Sequence, residues 1–161
     1  QESRNEYLVD YNENPKSYYA PMHTAEHLLN GTVNQMFGCG RAFSAHIEKK
    51  KSKCDYHFTR DLKAEEIAAI EEKVNSVMLA DMKVVESFIT RDEAEKEFSL
   101  SRLPDEAGET LRVITIGNYD KCLCSGPHVD STKVIGGFKI VSTSFENDVL
   151  RVRFKINEVK A

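Results

Sequence analysis

Two short sets of residues stand out for what they could do together. His23-Thr-Ala-Glu-His27 places two imidazoles four positions apart, and Cys124-Ser-Gly-Pro-His128 places a thiol and an imidazole at the same spacing. Residues four apart on a helix share a face, so His23 and His27 can address one ion from a rigid platform. In the second set Gly126 and Pro127 force a turn, which can bring thiolate and imidazole onto one centre without a helix. Either pair alone reads equally well as polar filler. Together, His, His, Cys and His in two spaced pairs are hard to explain as chance, and they point to a zinc site assembled from two distant segments. Four protein ligands normally close a structural site, whereas catalysis needs an exchangeable position, and spacing does not choose between them. Glu26, in the same turn as the histidines, is either a group that activates a water or a solvated helix residue.

The first set also fits the H-x-x-E-H pattern of inverted zinc proteases, with Glu26 as base and Glu71 or Glu72 as a third ligand. That reading leaves Cys124 and His128 without a role. The remaining cysteines Cys39, Cys54 and Cys122 carry no paired spacing, and Cys39 and Cys54 read most simply as small buried hydrophobes.

The rest of the chain must position these groups. Its 161 residues suit one domain over 1–161, with residues 1–20 as a possible N-terminal extension. With 40% hydrophobic and 30% charged residues the chain is neither disordered nor fibrous. Its apolar runs are far shorter than the about 20 residues a membrane helix needs, so no membrane partner is expected. The stretch from Gln1 to Tyr19 is polar and acidic, without a secretory signal, which predicts a cytoplasmic setting and reduced thiols. A net charge of −4 argues against bulk coating of nucleic acid. A local basic site remains, in Lys49, Lys50, Lys51 and Lys53.

Ala25, Leu28, Leu29, Val33, Met36 and Phe37 recur at helical steps and Gly38 closes the run, which predicts a first helix from His23 to Phe37. Ala42–Glu48 and Cys54–Thr59 read as strands joined by the lysine loop, and Ala64–Asp81 as a second long helix. Lys83–Phe88 reads as a strand, with a Thr90/Glu93 capping box opening a short helix to about Phe98. Ser99–Glu109 reads as a surface loop, Leu111–Ile116 as a strand running into Asn118-Tyr-Asp120, and Val134–Ile156 as two strands around Glu146-Asn-Asp148. Strands that do not alternate with helices give an α+β class. The expected architecture is a mostly antiparallel sheet packed against two long helices, with the zinc site between the first helix and a C-terminal turn.

His23-xxx-His27 followed by Leu28-Leu29, with Cys124-xxx-His128-Val129 leading to Thr132, Ile135-Gly136 and Phe138-Lys139-Ile140, resembles the editing domain shared by alanyl- and threonyl-tRNA synthetases. The resemblance extends to the freestanding AlaX proteins and covers most of the chain, from about Pro21 onward. It implies a zinc-dependent hydrolase of mischarged aminoacyl-tRNA. It carries the metal roles to His23, His27, Cys124 and His128, with catalysis around His23, His27 and Glu26. Ser125-Gly126-Pro127-His128 looks threonyl, whereas Arg112 to Asp120 and the Ile135 to Ile140 run look alanyl. The alanyl branch is favoured, implying trans-editing of Ser-tRNA(Ala) and Gly-tRNA(Ala). The alternatives are Ser-tRNA(Thr) editing, an inverted-motif peptidase, or a zinc-containing tRNA-binding module without turnover.

Under that resemblance Ser44 and His46 are candidate substrate-pocket residues, and Lys49, Lys50, Lys51 and Lys53 candidate contacts to acceptor-end phosphates. Tyr56 and Phe58 are either base-stacking rings or core strand residues. The sequence does not show the oligomeric state.

Overall fold

The computed structural model describes residues 18–98 and 110–158. Most of the possible N-terminal extension, residues 1–17, and the surface loop expected over Ser99–Glu109 lie outside the described residues.

Helix α1 spans Ala20–Phe37, beginning before the expected His23 because Pro21 sits in its first turn, where its fixed φ suits a helix and its missing N–H is no loss. It ends at Gly38, whose φ of 66° lets its N–H reach Asn34 O. Strand β1 (Ser44–His46) pairs with β2 (Ser52–His57), so Lys53 lies in a strand and only Lys49 to Lys51 occupy the connection. Helix α2 (Ala64–Leu79) buries Ile70, Val74, Val77 and Met78 at three- and four-residue steps. Strand β3 (Val84–Thr90) leads into α3 (Arg91–Glu97), capped reciprocally by Thr90 and Glu93 as the sequence predicts.

Strand β4 (Thr110–Ile116) does not run on through Asp120 as expected. The chain reverses at Gly117, with φ 50°, and returns as β5 (Asp120–Leu123). A Gly-Asn step between apolar runs is a hairpin signal, and it is the one the strand reading passed over. A short helical turn at Thr132–Val134 precedes β6 (Ile135–Glu146) and β7 (Val149–Glu158), paired around the expected turn.

The class is α+β and every strand pairing is antiparallel, but the strands form two sheets, ordered β1-β2-β7-β6 and β3-β4-β5. The main core lies where α1 and α2 cover the inner face of the larger sheet, joining Leu28, Leu29 and Val33 to Ile70, Val74, Tyr56, Leu150, Val152 and Phe154. Ile114 and Ile116 of β4 join it, whereas Leu111 and Val113, on the strand's other face, form a second cluster with Ala94, Phe98 and Leu123. Among the described residues no helix is long and apolar enough to cross a membrane.

Candidate metal centre

Polar side chains rarely sit in a helix core unless they are partnered, yet α1 buries His23, Thr24, Glu26, His27, Asn30 and Thr32 among its apolar residues. Their partners explain the burial. His23, His27, Cys124 and His128 each offer one ligand atom, and these atoms all lie within 4.8 Å of one another. The His23 and His128 rings stack with centroids 4.1 Å apart, and His27 meets both edge-on at 4.9 and 4.4 Å.

Each imidazole is turned by a different partner. His23 Nδ1 donates to Pro127 O at 3.0 Å, leaving Nε2 toward Cys124 Sγ at 3.6 Å. Nδ1 of His128 lies 2.9 Å from the Thr24 hydroxyl oxygen, which also accepts the Val129 N–H, while its Nε2 lies 3.5 Å from the same sulfur. His27 Nδ1 lies 3.5 Å from Asp120 Oδ2. Outward Nδ1 contacts of this kind fix the tautomer and aim Nε2 at an ion. A thiolate and an imidazole on one tetrahedral centre, with bonds of about 2.3 and 2.0–2.1 Å, stand about 3.6 Å apart. The two measured separations, 3.6 and 3.5 Å, meet that requirement. The donor set therefore fits a divalent metal.

The turn that carries Cys124 and His128 is itself held. Gly126 adopts φ 113°, open to glycine and strained for any other residue. Arg112 of β4 donates through one nitrogen to the carbonyls of Cys124 at 3.1 Å and Gly126 at 2.8 Å, and Cys124 N–H returns a bond to Arg112 O. Asp120 is gripped from its other side by Arg41, at 2.9 and 3.3 Å. Burial would raise the Asp120 carboxyl, but the Arg41 charge and His27 outweigh it and hold it below the usual carboxylate range. Thr24, Arg41, Arg112 and Asp120 went unassigned in the sequence reading. Arg112 and Asp120 bound the β4–β5 motif that carries the alanyl resemblance, and Thr24 sits inside the first histidine motif, which is the signal that points to them.

Glu26 is buried beside the donor set: Oε1 lies 3.8 Å from His23 Nε2, and Oε2 accepts from Asn30 at 2.6 Å. Asn30 Oδ1 in turn accepts from Tyr56 OH at 2.7 Å and Ala42 N–H at 3.1 Å. Tyr56 is thus a buried core residue and not a surface ring, and Phe58 packs against Phe37 at 5.2 Å. Neither carboxylate offered as a protease ligand joins the group. Glu71 accepts the Ile140 N–H at 2.7 Å, and Glu72 is exposed.

Ser44 and His46 are not brought to the cluster. They are exposed on β1, while Ala45 between them packs against the core, and they line a polar hollow with Lys53, Asp55 and Arg151. Lys49 extends its amine over the Tyr19 ring at 5.4 Å, and the neighbouring Tyr18 ring meets His23 at 4.8 Å. Lys49 is thereby joined to the metal end of α1 through two consecutive tyrosines. Cys54 and Cys122 are buried away from the donor set, and burial pushes the Cys39 thiol up to about 11.

Residues 111–152 match the family described as the threonyl and alanyl tRNA synthetase second additional domain. Among similar proteins, an alanine-tRNA ligase of Fervidobacterium nodosum is 34% identical over 123 residues, 76% of this chain and 14% of that protein. One from Opitutus terrae is 36% identical over 122 residues, 74% of this chain and 13% of its own. One from Streptococcus pneumoniae is 33% identical over 139 residues, 84% of this chain and 16% of its own. The chain thus spans about a seventh of the length of these relatives.

Proposed function

The chain belongs with the alanyl-tRNA synthetase-related proteins built on this editing domain, and on that premise we propose that it is a zinc-dependent deacylase of mischarged tRNA, Ser-tRNA(Ala) foremost and Gly-tRNA(Ala) second. The observation that carries this reading is the buried His23, His27, Cys124 and His128 group with tetrahedral thiol–imidazole separations. The ligase activity named in the relatives is a property of much longer proteins and is not carried over.

Zinc suits a site of three imidazoles and one thiolate and, when bound, supplies a Lewis acid that polarises the ester carbonyl. The chain's own residues do the rest. Of the four ligands His128 alone is not fully buried, so the ester approaches from its side. Asn30 fixes one oxygen of Glu26, leaving Oε1 on the donor-set side to take a proton from the attacking water. The ester C–O bond breaks, and the terminal ribose hydroxyl leaves protonated beside the free amino acid. Lys49, Lys50 and Lys51 then hold acceptor-end phosphates, with Lys49 nearest the tyrosines of α1.

Selection of serine over alanine needs a buried polar partner for the hydroxyl; leaving such a partner unpaired costs about 1–3 kcal/mol, roughly ten- to a hundredfold in rate. The deciding experiment adds the 161-residue chain to seryl esters on tRNA(Ala) and tRNA(Thr), with alanyl-tRNA(Ala) as the spared control. Faster turnover on tRNA(Ala) is expected. Faster turnover on tRNA(Thr) moves the chain to the threonyl branch, and no turnover of either leaves a binding module.

A further inference from the structure

Helices α1 and α2 cover one face of the β1-β2-β7-β6 sheet, and the alternate residues of its strands point to the other. On that outer face, like charges stand directly opposite one another. Lys53 of β2 is the register partner of Arg153 of β7, and Lys139 of β6 is the partner of Lys155 of β7. Opposed like charges destabilise an antiparallel pair. Two such pairs on one face of a chain whose net charge is −4 mark a place built to meet an anion.

The local carboxylates do not neutralise them. Asp55 is taken by Arg151, through bonds of 2.7 and 2.8 Å, while Arg153 donates only to the neutral Ser142 hydroxyl at 3.2 Å. The hollow at this face is lined by Ser44, His46, Lys53, Asp55 and Arg151. At its rim the Phe43 ring stacks on the exposed His57 ring, with centroids 4.1 Å apart and planes 12° from parallel. Cations that grip phosphates beside stacked rings on an open sheet form the layout by which sheet surfaces hold RNA. The β1 edge carries this face round to the Lys49 loop, which the tyrosines join to the metal end of α1.

We propose that this outer face, through Lys53, Arg153, Lys139 and Lys155, binds the phosphodiester backbone of RNA. It rests on the deacylase reading in one respect, that the RNA is the tRNA whose aminoacyl end reaches the metal centre. Ser44 and His46 accordingly belong to the RNA surface and not to the amino-acid pocket.

The test measures binding of uncharged tRNA between 50 and 200 mM salt, for the wild-type protein and for K53Q/K139Q/R153Q/K155Q. A control removes as many charges elsewhere, as K83Q/K96Q/K121Q/K133Q. The outer-face variant should bind at least about tenfold more weakly and lose about 3 from the salt slope, at 0.7–0.9 per phosphate contact, with the control close to wild type. Its melting temperature should not fall, because opposed charges have been removed. Equal loss in both variants, or loss in neither, overturns the proposal. Ester turnover is read separately. A protein that binds tRNA through this face yet hydrolyses no ester sinks the deacylase reading alone, whereas a deacylase whose binding ignores the four substitutions sinks this surface alone.

Discussion

Asp120 occupies the space that a side chain on Gly31 would fill: a Cβ there would stand 3.1 Å from Asp120 Oδ1. Gly31 lies one helical turn after His27 on the same face of α1, so its missing side chain lets the carboxylate lie against the helix and reach His27 Nδ1. Arg41 closes the arrangement from outside.

Asp120→Asn should therefore lower metal affinity about 10- to 100-fold, the range for removing a partner that orients a ligand histidine. Gly31→Ala in an ordinary helix would stabilise by about 0.5–1 kcal/mol. Here it should weaken the metal by displacing Asp120. Chelator competition reads both, and unchanged affinity in Gly31→Ala would remove the orienting role.

One zinc per chain is expected by elemental analysis, and Cys124→Ala should lose it along with activity. Metal removal should lower the melting temperature without unfolding the chain, because the core of α1, α2 and the larger sheet buries its side chains without the ion. Full zinc and full turnover in Cys124→Ala would overthrow the ligand assignment.

Glu26→Gln keeps the shape and an oxygen for Asn30 but removes the proton acceptor. Ester turnover should fall about ten- to a hundredfold, toward the low end for a general base because substrate ribose hydroxyls can assist. Metal content should be unchanged. Peptide hydrolysis that vanished in this variant would revive the inverted-protease reading.

Glu66 gives a pH prediction away from the site. Hydrogen bonds from Arg60 and from the Lys63 N–H hold its carboxyl down to about 2 from 4.5. A depressed pKa contributes stability that is complete above the unfolded value and is lost as pH falls through the folded one. The window is thus pH 4.5 down to about 2. With the Arg60 side chain 42% exposed, solvent screening limits the contribution to about 1 kcal/mol or less. The stability gap between wild type and Glu66→Gln in urea should be full at pH 6 and shrink by pH 3; a gap independent of pH would contradict the pairing.

The four metal ligands were legible because each pair is a local spacing that survives any tertiary arrangement. Their supports were not: Arg41 and Asp120 are separated by 79 positions, and Thr24 and His128 by 104, so only the assembled sheets bring them together. The α+β class and the capping box of α3 followed from local pattern. Division into two sheets did not, since it hinges on the reversal at Gly117. Ser44 and His46 show a different limit. A strand's side chains alternate, and only packing reveals that Ala45 faces the core.

The two halves of the donor set are 101 residues apart, from His23 to Cys124. At about 5–20 residues per second of synthesis, the histidines of α1 precede their partner thiolate by about 5–20 s. Through that interval α1 presents only half a coordination sphere. The second half is delivered by the β4–β5 hairpin, which must dock on α1 before the sphere closes. Capture of the ion is therefore a late event in the life of each molecule. The metal content of a preparation counts the chains that have finished assembling as much as it reflects the metal supplied.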